Sequence, residues 1–310
     1  MANRKIFLLI LLLAVSAAAA LVIGPVSLTR DILWLRLSRI LLGIAAGAGL
    51  ASCGAVFQAL LRNPLAEPYV LGVSSGAGLG AVLAVALFGY AGFLPLPAFT
   101  GGLLVIFLVY NLSRVGQKVP VQTLLLSGVV INIICSSLIL FFISASGNPV
   151  LHDAMWWLLG NLQVFDSRLV LASLAAAGLG IPVFMLYSRE LDAISLGEEE
   201  ALHLGINIEN VKTALFIIAS IITAALVSAC GLIGFVGLIV PHMARAIVGP
   251  KHKALIITAA ILGAIFLVLS DAAARTIMKP AEIPIGIITS LLGGPFFLYL
   301  LRKTRNIKQK

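Results

Sequence analysis

Apolar residues fill most of the chain in long runs, and polar residues are confined to short stretches between them. A run of roughly 20 apolar residues is long enough to cross a bilayer as a helix. The pattern therefore predicts an all-α polytopic membrane protein, with one transmembrane domain over residues 1–310. Its ten predicted spans are residues 6–23, 40–60, 71–88, 97–113, 123–144, 165–187, 212–230, 232–248, 254–273 and 284–301.

The composition agrees with this division. Of the 310 residues, 61% are hydrophobic and only 11% are charged, whereas about a quarter of the residues in a soluble domain carry charge. The first span resembles a secretory signal peptide, because Arg4 and Lys5 precede a Leu/Ile run and then Ala17 to Ala20. We expect it to remain uncleaved, since many further spans follow.

The net charge of +9 is explained by its distribution. If the N-terminus is cytoplasmic, fifteen of the 21 Lys and Arg residues fall in inner segments and six in outer segments. This is the positive-inside bias of membrane proteins. It predicts cytoplasmic N- and C-termini in an inner or plasma membrane, and it makes nucleic acid an unnecessary partner.

Candidate chemistry within the spans is sparse. Cys53, Cys135 and Cys230 lie in apolar spans without metal-like spacing, so we predict neither a disulfide nor a metal site. Intramembrane acids usually mark ion coupling, but only Asp271 lies inside a span, and Arg275 one turn later predicts a local ion pair. The chain lacks the P-loop pattern, so any ATP must be bound by another subunit.

The segment between Arg189 and Lys212 is the largest predicted cytoplasmic loop. Ser195 and Glu198 have the spacing of a capping box, and Gly205 is a typical helix stop. Together they predict a helix of about nine residues near 196–204, too short to be stable alone in water. We expect it to dock on a partner, the alternative being a solvated acidic connector.

The second span joins two polar surfaces. It starts at a pair of arginines, continues through small residues that let helix backbones approach closely, and ends in a compact polar turn. Together with later motifs it resembles the permease subunits of type II ATP-driven importers, the FecCD family that carries ferric siderophores, haem and cobalamin. The motifs are Arg36-Leu37-Ser38-Arg39, Gly54-Ala55-Val56-Phe57-Gln58, Asn63-Pro64-Leu65-Ala66-Glu67-Pro68, Leu71-Gly72-Val73-Ser74-Ser75-Gly76-Ala77, Leu124-Leu125-Leu126-Ser127-Gly128, Trp157-Leu158-Leu159-Gly160, Gly234-Phe235-Val236-Gly237-Leu238-Ile239-Val240-Pro241-His242, Ser270-Asp271 and Glu282-Ile283-Pro284-Ile285-Gly286.

The resemblance implies a ten-span permease that is not itself an enzyme. Its implied partners are a second permease copy, two ATPase subunits that carry the ATP and Mg²⁺, a substrate-binding protein outside, a metal-chelate substrate and membrane lipid. The chain itself is expected to hold no cofactor. Cobalamin, haem and siderophores all remain possible substrates, and both a homodimer and a pair with a related permease remain open.

The resemblance also implies site residues. Arg36, Arg39 and Arg275 match outer arginines that pair with acidic residues of the binding protein, an interaction suited to the planar guanidinium. The alternative is that these side chains reach the lipid headgroups. Coupling to the ATPase is expected from the predicted loop helix, at Leu196, Gly197, Glu198, Glu199, Glu200, Ala201, Leu204 and Gly205.

A cytoplasmic gate is implied at two places. Asn63, Pro64 and Leu65 match one gate turn, and we favour this role over the alternative of an ordinary Asn-Pro turn between spans. Val121 and Gln122 match the second gate but depart from the small hydroxyl pair of some family members. The pathway lining is expected at Ser127, Asn132 and Ser136, with hydrogen bonds between helices as the alternative.

Two other function classes fit parts of the sequence. An ion-coupled secondary transporter would need a buried ionisable group, for which Asp271 is the candidate. A passive scaffold or channel would leave the acidic loop helix without a role.

Overall fold

The structure is a computed structural model that describes residues 2–24, 29–88, 94–116, 118–145, 150–164 and 166–307. Within these ranges the chain forms 13 α-helices and one short 3₁₀ turn, Pro68–Leu71, and contains no β-strand. The helices are α1 Ala2–Val22, α2 Arg30–Leu60, α3 Val73–Phe88, α4 Pro95–Ser113, α5 Val121–Ala145, α6 Val150–Leu158, α7 Ser167–Leu186, α8 Ser188–Leu196, α9 Glu198–His203, α10 Ile208–Cys230, α11 Val236–Val248, α12 His252–Ala274 and α13 Ile285–Ile307.

The all-helical prediction is confirmed, and each of the ten predicted spans falls on a helix. Among the described residues, seven helices are long and apolar enough to cross a membrane, namely α1, α2, α4, α5, α7, α10 and α12. The apolar parts of α3, α11 and α13 are shorter. The other three helices, α6, α8 and α9, lie in the segments that connect the spans.

Helix α2 is the centre of the bundle. It packs against α7, α10, α11 and α12, and the residues from Gly43 to Leu60 are almost all buried. A Cβ on Gly47 would overlap the carbonyl oxygen of Gly263 in α12, and one on Gly54 would overlap that of Gly237 in α11. The small residues therefore bring the backbone of α2 against its neighbours, which is how helices pack in lipid.

Two helices lie at the edge of this bundle. Helix α1 packs mainly on α12. Helix α5 buries only Leu124, Gly128, Ile131 and Cys135, so one broad apolar face of this 25-residue helix is uncovered in the single chain.

The predicted eighth span begins with irregular backbone. Gly231 has φ +71° and Phe235 has φ +69°, and α11 starts only at residue 236. Non-helical backbone needs hydrogen-bond partners inside the protein, and two residues at the start of the 3₁₀ turn, Glu67 and Tyr69, supply them. The Phe235 N–H donates to Glu67 Oε1 at 2.7 Å, and the Ile233 N–H donates to the Tyr69 hydroxyl at 3.0 Å.

Candidate functional site

A charged cluster lies where the start of α2 meets the end of α12 and the segment before α13. Arg39 Nη2 and Nε donate to Asp271 Oδ1 at 2.8 and 3.1 Å, and its Nη1 donates to Glu282 Oε2 at 2.8 Å. One arginine therefore joins three parts of the chain. We call Arg36, Arg39, Arg275, Asp271 and Glu282 the outer cluster, after the side of the membrane predicted for it from the sequence.

The other two arginines of the outer cluster hold the end of α1. Arg36 Nη1 donates to the carbonyl oxygens of Leu21 and Val22 at 2.7 and 3.0 Å, and Arg275 Nη2 donates to that of Ala20 at 3.1 Å. The last carbonyls of a helix lack partners within it and carry its negative dipole end. The two guanidinium groups therefore cap α1 both by hydrogen bonds and by charge.

The outer cluster borders an open cleft. A space of about 140 Å³ is lined by Arg36, Arg39, Arg275 and Glu282 together with Ile32, Leu35 and Gln163. The three guanidinium groups and two carboxylates of the outer cluster sum to a formal net charge of +1. Within the described part of the chain, the buried Nη1 of Arg275 has no hydrogen-bond partner.

The structure thus brings the three arginines predicted for docking into one place. They are only 4%, 8% and 2% exposed, in chain order. This burial in protein differs from the alternative in which the side chains reach out to lipid headgroups. Docking itself stays a prediction.

The predicted ion pair between Asp271 and Arg275 is confirmed, with Nε 3.0 Å from Oδ2. Sequence reasoning missed the larger arrangement, in which Asp271 also pairs with Arg39 and Glu282 completes the contacts of that arginine. Spacing within one helix signals an i,i+4 pair, but nothing local signals a partner 232 residues away.

The turn after α2, predicted as a gate, is tightly hydrogen-bonded. Arg62 has φ +46°, and the N–H groups of Arg62 and Asn63 donate back to the carbonyls of Ala59 and Gln58, which is the hydrogen-bond pattern of a Schellman motif. Asn63 Oδ1 then accepts the Leu65 N–H at 2.9 Å. The side chain of Leu65 is 43% exposed.

The turn is continued by Glu67, which links it to the start of α11 through Phe235. Desolvation raises the pKa of the Glu67 carboxyl to about 7, although the hydrogen bond from the Phe235 N–H favours the ionised form. Glu67 was not among the predicted site residues.

The second predicted gate pair opens α5. Val121 and Gln122 are its first two residues, and Val121 lines a small cavity of about 30 Å³ together with Leu60 and Leu61 at the end of α2. The start of α5 therefore lies beside the end of α2, and the Asn63 turn follows that end of α2 directly in the sequence. Their gating roles stay predictions.

The loop helix predicted near 196–204 is present but is shorter, and its predicted start is wrong. α8 ends at Leu196, and α9 covers only Glu198–His203 after a break at Gly197. Ser195 lies inside α8, and no side chain caps α9. The capping box fails because Ser195 is helical and Gly197 takes the N-cap position of α9. Glu198 pairs with Lys212 of α10, with Oε1 and Nζ 2.5 Å apart.

The predicted stop at Gly205 is confirmed. Gly205 has φ +75°, and its N–H and that of Ile206 donate to the carbonyls of Leu202 and Ala201, the pattern of a Schellman motif. Of the predicted apolar contact residues, Leu196 and Leu204 are 73% and 68% exposed, whereas Ala201 is fully buried. Leu202, which the prediction omitted, is 61% exposed.

This connector, residues 188–206, is also tied to the bundle. The Asp192 carboxylate accepts the backbone N–H of His252 at 2.8 Å and lies 2.7 Å from its Nδ1. Asp192 therefore anchors α8 to the start of α12. Beside it, Arg245 of α11 donates to Gln58 Oε1 of α2 at 2.6 Å.

The polar residues predicted to line a pathway on α5 do not form one stripe. At about 100° per residue, Asn132 and Ser136 share one side of the helix, whereas Ser127 lies roughly 140–180° away. Ser136 is exposed in the single chain, and Ser127 and Asn132 are half-buried. A pathway role stays a prediction for all three.

A family model described as the FecCD transport family matches residues 6–303, nearly the whole chain. The chain belongs to the FecCD transport family. The resemblance found in the sequence motifs is thereby confirmed, and with it the prediction of a multi-pass membrane transport protein.

Named relatives of this FecCD protein are permeases rather than enzymes. The cobalamin import system permease protein BtuC of Halobacterium salinarum is 44% identical over 270 residues, covering 86% of this chain and 72% of the relative. The hemin transport system permease protein HmuU of Yersinia pestis is 38% identical over 323 residues, covering 96% of this chain and 95% of the relative. The Fe(3+) dicitrate transport system permease protein FecD of Escherichia coli is 36% identical over 272 residues, covering 87% and 84%.

A solved structure supports the same fold for this FecCD protein. A metal-chelate type ABC transporter in an inward-facing conformation matches with a TM-score of 0.89 and 32% sequence identity. The match covers 98% of this chain and 100% of that chain. The arrangement of helices described above is therefore that of an ABC transporter permease.

Proposed function

We propose that this chain is the membrane-spanning permease of an ATP-driven importer whose substrate is a metal chelate. The relatives are named for cobalamin, hemin and ferric dicitrate, which are all metal ions enclosed in organic ligands. In this proposal both termini are cytoplasmic, the substrate moves inward, and a separate subunit supplies the energy.

The outer cluster supports the proposal that a substrate-binding protein docks on this chain and delivers the substrate. Its five side chains sum to a formal net charge of +1, and the buried Nη1 of Arg275 lacks a hydrogen-bond partner among the described residues. Arginine binds a carboxylate through two parallel hydrogen bonds. An acidic side chain of a binding protein would therefore offset this net charge and pair with the arginines that line the cleft.

The connector 188–206 is proposed to receive the ATPase subunit. Leu196, Leu202 and Leu204 are exposed beside the acidic first turn of α9. Together they form an apolar surface bordered by negative charge, to which a partner protein could bind. Asp192 and Glu198 tie this connector to α12 and α10. Closure of two ATPase subunits around ATP and Mg²⁺ would move these helices, and the permease itself would hold no cofactor.

The uncovered face of α5 is proposed to meet a second permease copy and to line the substrate path between the copies. The face presents apolar side chains such as Leu126 and Ile133 with a few polar groups such as Ser136. A path of this kind would interact weakly with a bulky chelate. The turns at 63–65 and 121–122 would close its cytoplasmic end.

The test is uptake in proteoliposomes that contain this chain with its own ATPase and binding protein. Cobalamin, haem and ferric siderophores are each tested with ATP or with a pH gradient. We expect ATP-dependent accumulation of one chelate and loss of that uptake in an Arg39→Ala variant. Uptake driven by the gradient alone would contradict the proposal and favour ion coupling at Asp271.

A further inference from the structure

Arg39 is held by two carboxylates that differ greatly in exposure. Asp271 binds its Nε and Nη2 and has a side chain only 3% exposed, whereas Glu282 binds the remaining Nη1 and is 40% exposed. Asp271 is also fixed by Arg275. One carboxylate is therefore a permanent part of the bundle, and the other sits at the border with solvent.

Glu282 also forms part of the wall of the open cleft. The space of about 140 Å³ beside it is lined by all three arginines of the outer cluster. One water molecule takes up about 30 Å³ in the liquid, so the cleft has room for a carboxylate and its neighbouring methylene groups. A carboxylate that enters there lies beside Arg39 and Glu282, which both line the cleft.

Glu282 belongs to the non-helical segment between α12 and α13. Residues 275–284 form turns and irregular backbone between α12 and α13, and the nearby side chains of Ile277 and Met278 are 63% and 60% exposed. Among the described residues, the Glu282 carboxylate is hydrogen-bonded to Arg39 alone. Its release from Arg39 therefore leaves the buried pairs of Asp271 in place.

We propose that Glu282 is a built-in placeholder for the docking partner, an inference that rests on the proposed function. In the free permease it pairs with Arg39, so that a nearly buried guanidinium is not left with unused donors. On docking, an acidic side chain of the substrate-binding protein takes its place on Arg39.

The exchange has a physical consequence. A bound carboxylate that replaces an equivalent one gains little from Arg39 alone, so the affinity depends on the remaining contacts to Arg36 and Arg275. Competition of this kind keeps the complex weak enough to dissociate in each transport cycle. Glu282 thereby regulates docking without touching the substrate.

The first test measures Arg39 directly in the full permease with its ATPase, without a binding protein. Phenylglyoxal modifies accessible arginines, and mass spectrometry follows the rate at each residue. We expect Glu282→Gln to speed modification of Arg39 severalfold, while Arg245, which pairs with Gln58, reacts at its wild-type rate and serves as the internal reference. An unchanged rate at Arg39 would overturn the proposal.

The second test measures affinity for the binding protein of the same transport system. A partly exposed ion pair is worth up to about 1 kcal/mol, so removal of the competitor by Glu282→Gln should tighten binding roughly three- to fivefold. Glu282→Asp keeps the charge with a shorter reach and should give an intermediate affinity. Weaker binding in Glu282→Gln would mean that Glu282 positions Arg39 for docking, and it would contradict the placeholder role.

The two tests separate this inference from the proposed function. If the binding protein does not bind wild-type permease, or binds Arg39→Ala equally well, docking at the outer cluster is wrong whatever the phenylglyoxal rates are. If binding depends on Arg39 but is not tightened by Glu282→Gln, docking stands and the placeholder is wrong.

Discussion

The two ends of the bundle use charge in opposite ways. In the outer cluster, Arg39 and Asp271 are almost fully buried, and their contact joins residues 232 positions apart. At the connector, Glu198 and Asp192 are 44% and 41% exposed, and each holds a helix of the connector to the start of a long helix. A buried charge is costly to leave unpaired, whereas an exposed pair contributes little and is screened by salt. The ion pairs of the outer cluster are therefore hard to break, whereas those that tie the connector to the bundle are broken easily.

The largest expected effect comes from removing the buried charge. Asp271→Asn leaves Arg39 and Arg275 facing a neutral amide, which costs about 3–5 kcal/mol when a buried pair is broken. We expect the thermal unfolding midpoint of the purified permease to fall by roughly 10 °C. Asp271→Glu, which keeps the charge, is the control and should lose less.

A second outcome is informative for the same variant. A stable Asp271→Asn protein that no longer responds to a pH gradient would remove the contrast between the two ends. It would identify Asp271 as a coupling group rather than a structural one.

The next effect tests the packing that joins the two ends. In Gly47→Ala the new methyl group would overlap the backbone of Gly263, and overpacking typically costs about 1–3 kcal/mol. We expect a lower unfolding midpoint. Gly178→Ala in α7 is the matched control, because nothing lies within 4 Å of its added carbon; an equal loss in both variants would indicate that helix packing is not the cause.

A smaller effect of opposite sign is expected at the inner end of α2. Arg62 adopts φ +46°, a left-handed conformation that costs a non-glycine residue about 1–2 kcal/mol. Arg62→Gly relieves this strain but adds freedom to the unfolded chain, so we expect a gain of about 0.5 kcal/mol in unfolding experiments. Arg62→Asn should fall between the two; a loss of stability in Arg62→Gly would mean that the arginine side chain makes a stabilising contact.

The smallest effect is expected at the connector. Glu198→Gln removes the pair with Lys212, which at this exposure is worth less than about 1 kcal/mol. The loss should be measurable at low ionic strength and vanish in high salt. Glu199→Gln removes the same charge from an exposed position of α9 and is the control. A loss of stability as large as that of Asp271→Asn would mean that the exposed pair of the connector is as important for stability as the buried pairs of the outer cluster.

Much of the fold was predictable because it depends on local pattern. Ten apolar runs gave ten helices, and Gly205 and the i,i+4 pair of Asp271 and Arg275 behaved as their spacing indicates. The length of α11 was not predictable. Residues 232–235 are as apolar as a span, and their irregular backbone depends on Glu67 and Tyr69, which lie far away in sequence.

The sites were predicted in identity but not in geometry. The motifs placed Arg36, Arg39 and Arg275 together by resemblance, yet their burial depends on partners from α1, α12 and the segment before α13. The capping box at Ser195 failed because α8 continues through Ser195 to Leu196, so that Gly197 precedes α9. The pairing of Glu198 with Lys212 was not predicted either, because no local pattern reveals it.

The capping of α1 has a consequence for how the protein is made. Its final carbonyls receive hydrogen bonds from Arg36 and from Arg275, and the latter is synthesised 255 residues after Ala20. At about 5–20 residues per second, ribosomes need roughly 13–50 s to reach that arginine. During this interval the outer end of α1 is only partly secured in the nascent chain, so the last third of the protein completes the anchoring of its first helix.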